Sequence, residues 1–342
     1  MASCLHPQVE QIEERALRWL DGWDGFGVPG LRAAAERTRS AEFFARITPD
    51  APAGRVQIAV EWTYWGFAFD DVFCDTMPWA VRTGRFARLS GLLVRMLECP
   101  GARVDGDGEV FLEALGDLSA RFAEVCTAVQ HRRWVAAQRA WLSGVVWQIG
   151  NRARGVMPDL GEYLAMRINS AAGEPVTAMV EMVQGPEVPA GDFDRPGVRA
   201  CTEMARLVAS LDNDLHSYAK DAARGETDQN IVNVLTTLNS YGPGTAVGEA
   251  VALRNRIMHR FIELRTALAP SVHPATRGYL EGLGRVVRGN LDWAAEVPRY
   301  QAPAPITPLQ STISADGPSQ AGDPLPWPIA WWWGPALEDA LP

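Results

Sequence analysis

From residue 8 to residue 294, apolar side chains recur at three- and four-residue spacing, and nowhere there do they alternate as in a half-buried strand. Between Gln8 and Trp23 the apolar positions include Ile12, Ala16, Leu17 and Leu20, with Glu and Arg between them. Runs of the same kind cover roughly 53–77, 81–99, 108–128, 131–155, 159–184, 195–223, 228–238, 246–268 and 273–294. Breaks fall at Pro78, Cys99-Pro100-Gly101, Val156-Met157-Pro158, Gly185 to Gly191 and Tyr241-Gly242-Pro243-Gly244. No internal repeat is visible. The pattern predicts one all-α domain of about ten helices over residues 1–300.

Residues 301–342 differ in kind. They hold nine of the chain's 24 prolines and no Lys or Arg. Such a segment buries too little apolar surface to offset its ordering entropy, and it is expected to be a flexible Pro-rich tail. Its Trp327-Pro-Ile-Ala-Trp-Trp-Trp-Gly end is expected to dock on its own domain, with a partner or interfacial contact as the other reading.

Charge and cysteine usage narrow the function. The 342 residues carry 32 Lys+Arg against 41 Asp+Glu, a formal charge of −9, with no dense basic block, which excludes nucleic acid as a natural partner. Cys4, Cys74, Cys99, Cys126 and Cys201 are scattered and form no Cys-x-x-Cys pair, so neither a disulfide framework nor a structural zinc is expected. No secretory pattern opens the chain and no apolar run is long enough to span a membrane, so the expected location is the cytoplasm.

Two polar ladders stand out. Asp70, Asp71 and Asp75 close an aromatic helical run containing Trp62, Tyr64, Trp65, Phe67 and Phe69. With α-helical geometry Asp71 and Asp75 share a face, and Asp70 lies about 100° round from Asp71. Three acids at the C-terminal end of an apolar helix repel each other and oppose the helix dipole. A divalent cation such as Mg²⁺ relieves both costs. The second ladder is Asn213, Ser217 and Asp221 at i, i+4 and i+8, an amide carbonyl, a hydroxyl and a carboxylate along one face. Lys220 returns to nearly the same face and suits an anionic ligand.

Together the ladders resemble the two metal-binding motifs of bacterial class I terpene synthases. Arg167, 46 positions before Asn213, resembles the family's diphosphate-sensing arginine, and Arg299-Tyr300, six after Trp293, resembles its C-terminal Arg-Tyr pair. The first motif is one residue longer than the commonest form, the second ends in Asp221 where Glu is usual, and Ser170 and Ala171 take the linker and effector positions after the sensor. The resemblance implies a helical bundle around a central cavity, three Mg²⁺ ions held by Asp70, Asp71, Asp75, Asn213, Ser217 and Asp221, and a prenyl diphosphate substrate. It further implies that Arg167, Lys220, Arg299 and Tyr300 surround the departing diphosphate. Phe67 and Trp293 are expected to face the resulting carbocation, since aromatic faces stabilise a cation without offering a nucleophile.

Farnesyl diphosphate is the expected substrate, from the bulk of Trp62, Phe67, Phe69 and Trp293, with geranylgeranyl diphosphate next and the C10 diphosphate last. His216 is read as a bystander, Tyr64, Trp65 and Phe69 as core, and a homodimer is left open. A chain-elongating prenyltransferase would carry a second Asp-rich motif, and a non-catalytic helical binding protein would need neither ladder. These are the alternatives.

Overall fold

Local signals decide where the helices begin. The computed structural model of the chain describes residues 3–99, 106, 108–223, 229–300, 325 and 327–338, with the backbone alone at 220, 221, 223, 336 and 338. In chain order α1 (Val9–Gly22), α2 (Leu31–Glu36), α3 (Ser40–Ile47) and α4 (Ala53–Phe69) lead into a wider helical turn at Asp70–Cys74. There follow α5 (Thr83–Glu98), α6 (Glu109–Val125), α7 (Ala128–Arg154), α8 (Leu160–Ser170), α9 (Gly173–Gln184) and α10 (Ala190–Phe193). The remainder is α11 (Pro196–Ala223), α12 (Ile231–Asn239), α13 (Pro243–Leu268), α14 (Pro274–Glu296) and α15 (Pro335–Glu338). Thr127 and Gln130 cap α7 reciprocally, Asp159 and Glu162 do the same for α8, and the Asn230 side chain accepts from Val232 N at the start of α12. Pro243 and Pro274 occupy first-turn positions, where the missing N–H costs nothing.

No strand occurs among the described residues, and the fold is all-α. No helix among them is long and apolar enough to cross a membrane. The run expected as one helix over 159–184 is two, because Ala172 takes a left-handed conformation (φ 59°) that parts α8 from α9. The stretch between α1 and α4, with no periodic run of its own, folds as the short α2 and α3.

α4 is buried on nearly every side, as a central helix must be when it is apolar all round. Its polar positions are linked rather than bare: Arg15 Nε donates to Gln57 Oε1 at 2.8 Å, and Gln57 Nε2 donates to Glu61 Oε1 at 2.8 Å. Around it α11 packs against α13 and α14, and α7 against α5, α8 and α9. Parts of α3, α4, α7, α8, α9, α11 and α14 line a common cavity.

The Trp-rich end lies on this bundle. Ile329, Trp332 and Leu337 are buried, Trp332 Nε1 donates to Glu203 Oε2 at 3.1 Å, and Arg260 Nε donates to the Trp332 carbonyl at 2.9 Å. This segment thereby joins α11 to α13. Residues 301–324 lie outside the described residues.

α7 and α8 approach so closely that only glycine fits at 144. A Cβ there would stand 2.7 Å from Ser170 N and 2.8 Å from the Asn169 carbonyl carbon. Backbone cannot step aside as a flexible side chain can. Gly144→Ala should therefore lower stability by about 1–3 kcal/mol despite alanine's better helix propensity, read as a fall in thermal midpoint.

Candidate active site

The face of α4 that meets the cavity can be followed residue by residue. Trp62, Gly66 and Asp70 succeed one another at steps of four, with Thr63 and Phe67 beside them, and all line the cavity. The next α-helical step would be Cys74. Instead Asp75 N donates to the Asp70 carbonyl at 3.0 Å, a five-residue hydrogen bond, and residues 70–74 form one π-helical turn. The wider turn carries the face on to Asp75, which lines the cavity, while Cys74 is buried. The α-helical pairing of Asp71 with Asp75 is thus corrected: Asp70 and Asp75 share the cavity side. The sixth-position acid reaches the cavity because the turn is one residue wider.

Asp71 faces elsewhere. Arg299 grips it with two hydrogen bonds, Nη1 to Oδ2 at 2.9 Å and Nη2 to Oδ1 at 2.7 Å, while the same guanidinium lies 5.0 Å from the Phe67 ring centroid. Burial opposes charge on Arg299, but the hydrogen bonds and field of Asp71 outweigh it and raise its pKa. Burial, reinforced by the neighbouring Asp71 charge, raises the Asp70 pKa above the ordinary carboxylate value. Among the described residues no three His, Cys, Asp or Glu side chains converge as a ready-made metal cluster.

The opposite wall is α11. Asn213 and Ser217 line the cavity, and Asn213 Oδ1 is buried with no hydrogen-bond partner. An orphaned acceptor of this kind is costly unless a ligand satisfies it. The side chains of Lys220 and Asp221, expected on the same wall, lie outside the described residues. Asp214, missed in the sequence, is the hub of this wall. Its carboxylate accepts from Arg167 Nη2 at 2.7 Å, from Ile231 N at 3.1 Å and from the Tyr163 hydroxyl, and its carbonyl accepts from Asn230 Nδ2 at 2.8 Å. Asp212, also missed, makes a buried two-point ion pair with Arg254, Nε and Nη2 each at 2.8 Å. The arginine and tyrosine partners of these two acids lie 42 to 51 positions away, and Asn230 and Ile231 lie 16 and 17 away. The available signal was two acids flanking Asn213 on a largely apolar helix.

Arg167 reaches the cavity from α8, and Ser170, Ala171 and Ala172 line it where α8 and α9 part. Arg299 and Tyr300 close it from the segment after α14. The apolar wall is a stack: Phe67 lies against Trp293 with centroids 5.6 Å apart, Trp293 meets Tyr300 edge-on at 5.6 Å, and Phe43 meets Trp293 at 5.1 Å. Trp62 and Trp141 complete it. Phe69 does not. It stacks on Trp65 within the core, and Trp65, also buried, donates through Nε1 to the Phe111 carbonyl. His216 is no bystander to packing, since its ring stacks on Tyr300 at 6.2 Å, and burial lowers its pKa. The cavity has a volume of about 240 Å³.

Residues 61–260 match the family described as terpene synthase family 2, C-terminal metal binding. Spiroviolene synthase of Streptomyces violens is 44% identical to this chain, the alignment covering 98% of this chain and 95% of that enzyme. The chain belongs to this terpene synthase family. A (+)-T-muurolol synthase of Streptomyces clavuligerus, whose name specifies cyclisation of (2E,6E)-farnesyl diphosphate, is 31% identical over 96% of this synthase and 79% of its own length. The crystal structure of SVS_A2, a protein from ancestral sequence reconstruction, superposes with a TM-score of 0.84 at 42% identity, covering 98% of the synthase and 97% of that chain. The matched region is the family's metal-binding part, which makes the synthase dependent on a divalent metal.

Beside the cavity, Glu174 in the first turn of α9 sits 3.3 Å from Arg206 and is buried. Burial pushes its carboxyl up to about 7, with Arg206 opposing. A raised folded-state pKa means that the stability present below the unfolded value of 4.5 is lost as pH climbs through about 7. The synthase should therefore lose about 3 kcal/mol relative to Glu174→Gln between pH 4.5 and 8. Denaturant midpoints of the two proteins across that range check this.

Proposed function

We propose that the synthase is a class I cyclase that ionises a linear prenyl diphosphate and folds the resulting cation into a terpene hydrocarbon or alcohol, releasing inorganic diphosphate. What supports the reading is one juxtaposition. Asp70 and Asp75 face Asn213 and Ser217 across a cavity whose remaining wall is aromatic, with Arg167, Arg299 and Tyr300 at the polar end. The carboxylate, amide and hydroxyl oxygens suit a hard cation, and the orphaned Asn213 Oδ1 is an acceptor waiting for one. Mg²⁺ would be held by Asp70 and Asp75 on one side and by Asn213, Ser217 and Asp221 on the other, three ions with diphosphate bound. Metal held by these residues would supply positive charge against the charge developing on the leaving diphosphate. Asp71, expected as a further metal ligand, is paired with Arg299.

The chain's own groups do the rest. Arg167, Arg299, Lys220 and the Tyr300 hydroxyl donate to diphosphate oxygens as their charge grows, which lowers the barrier to carbon–oxygen cleavage. Phe67, Trp62 and Trp293 present ring faces to the allylic cation and offer it no nucleophile. Arg167 and Arg299 already pair with Asp214 and Asp71, so diphosphate must compete for them, and closure of the site accompanies that exchange.

Substrate length is set by the depth of the aromatic wall. Farnesyl diphosphate remains the first substrate to test, as for the T-muurolol enzyme, but the core position of Phe69 removes one of the four side chains behind that expectation. Side-by-side assays with the C10, C15 and C20 diphosphates decide it. A cyclic product from the C20 substrate alone would overturn the restricted-cavity argument, and elongated diphosphates would mean a prenyltransferase.

EDTA should abolish diphosphate release and Mg²⁺ should restore it; release that survives chelation would sink the proposal. Asn213→Ala should cut turnover by about 10²–10³-fold while the protein still folds, because the lost contact strengthens as charge builds on the leaving group. Turnover at the wild-type rate would show that the second metal site is misassigned.

A further inference from the structure

One buried side chain outside the cavity touches a side chain of its wall. Gln138, on α7, is 1% exposed and does not line the cavity. Two indole N–H groups point at its amide, which fixes the oxygen toward them: Gln138 Oε1 accepts from Trp62 Nε1 at 2.9 Å and from Trp134 Nε1 at 3.2 Å. Trp134 stands one turn before Gln138 on α7 and packs against Phe122 in the core, with centroids 5.2 Å apart. Trp62 comes from α4, and its ring is part of the cavity wall.

We propose that Gln138 is a positioning residue that holds the Trp62 indole at one orientation in the cavity and thereby helps to determine which product the synthase makes. This rests on the cyclase reading above. Three features bear on that ring. Its N–H is tied to Gln138. The edge of Trp141, three residues beyond Gln138 on the same helix, meets it at 6.0 Å and 70°. Its six-membered ring lies over Gly66, where an added Cβ would come within 3.6 Å of Cη2. Packing limits how far the indole moves, but the hydrogen bond sets its rotation about the bond to Cβ and Cγ. A carbocation is stabilised where it lies over a ring face, so turning that face changes which carbon of the chain carries the charge longest. Leucine at 138 would leave two buried N–H groups without an acceptor, and the Trp62 ring would turn to find one.

The test compares Gln138→Leu with Gln138→Glu, which keeps an acceptor oxygen in the same place. Product ratios are read by gas chromatography and mass spectrometry, with kcat and KM for whichever prenyl diphosphate the wild type turns over. Gln138→Leu should change the product ratio and lower kcat by about tenfold, the size of one cation–π contact. KM should hold, because the diphosphate groups are untouched, and Gln138→Glu should restore the wild-type ratio. A wild-type ratio in folded Gln138→Leu, or a Gln138→Glu profile as altered as that of Gln138→Leu, would overturn the proposal. Should Gln138→Leu not fold, indole ¹⁵N–¹H spectra of the wild type, assigned with Trp62→Phe, supply a substrate-free reading. A Trp62 N–H that exchanges slowly supports the Gln138 bond, and one that exchanges as fast as an exposed indole removes it. A wild type with no turnover would fail the cyclase reading and leave the indole spectra as the separate measure of the bond.

Discussion

Three buried or half-buried ion pairs govern how this chain can arrange a polar end against an aromatic wall. Arg167–Asp214, Arg254–Asp212 and Arg299–Asp71 each join elements distant in sequence, and two of the three guanidinium groups belong to the cavity. A guanidinium taken out of water without a partner is prohibitively costly, whereas breaking one member of a buried pair costs about 3–5 kcal/mol. The arginines can therefore wait in a part-buried site because carboxylates hold them. The same carboxylates fix where they wait. Asp71 and Asp214 are the second residues of the two motifs, and in both motifs the first residue lines the cavity and the second grips an arginine, Asp214 lining the cavity as well.

That division of labour explains why the polar and apolar parts do not compete. Arg299 uses its donors on Asp71 and its face on Phe67, which stacks on Trp293, so one residue couples the ionic end to the aromatic wall. The helix break at Ala171 and Ala172 brings Ser170 and α9 to the cavity beside Arg167, and Gly144 lets α7 come close enough to α8 to add Trp141 and Gln148.

Much of this was written in the sequence. The 3.6-residue spacing carries the helices, because burial of one stripe is a local property of each segment. Both ladders, Arg167 and the Arg299-Tyr300 pair were legible because residue type and order suffice to mark them, and Asp70, Asp75, Asn213, Ser217, Arg167, Arg299, Tyr300, Phe67 and Trp293 line one cavity. The π turn was not legible, since apolar spacing does not distinguish a four-residue from a five-residue hydrogen bond over one turn. The roles of Asp212, Asp214, Tyr163, Arg254 and Gln138 were hidden for another reason. Each depends on a partner that only the tertiary fold brings near, and a buried Asp or Gln reads in sequence as one more polar position.

The wide turn at 70–74 also bears on which side chain comes next on the cavity face. Upstream of it α4 turns Trp62, Gly66 and Asp70 to the cavity, and within it Phe73 and Cys74 enter the core. The one extra residue in that turn shifts the phase of the helical wheel by a single position, so the acid that meets the cavity is Asp75 and not Cys74.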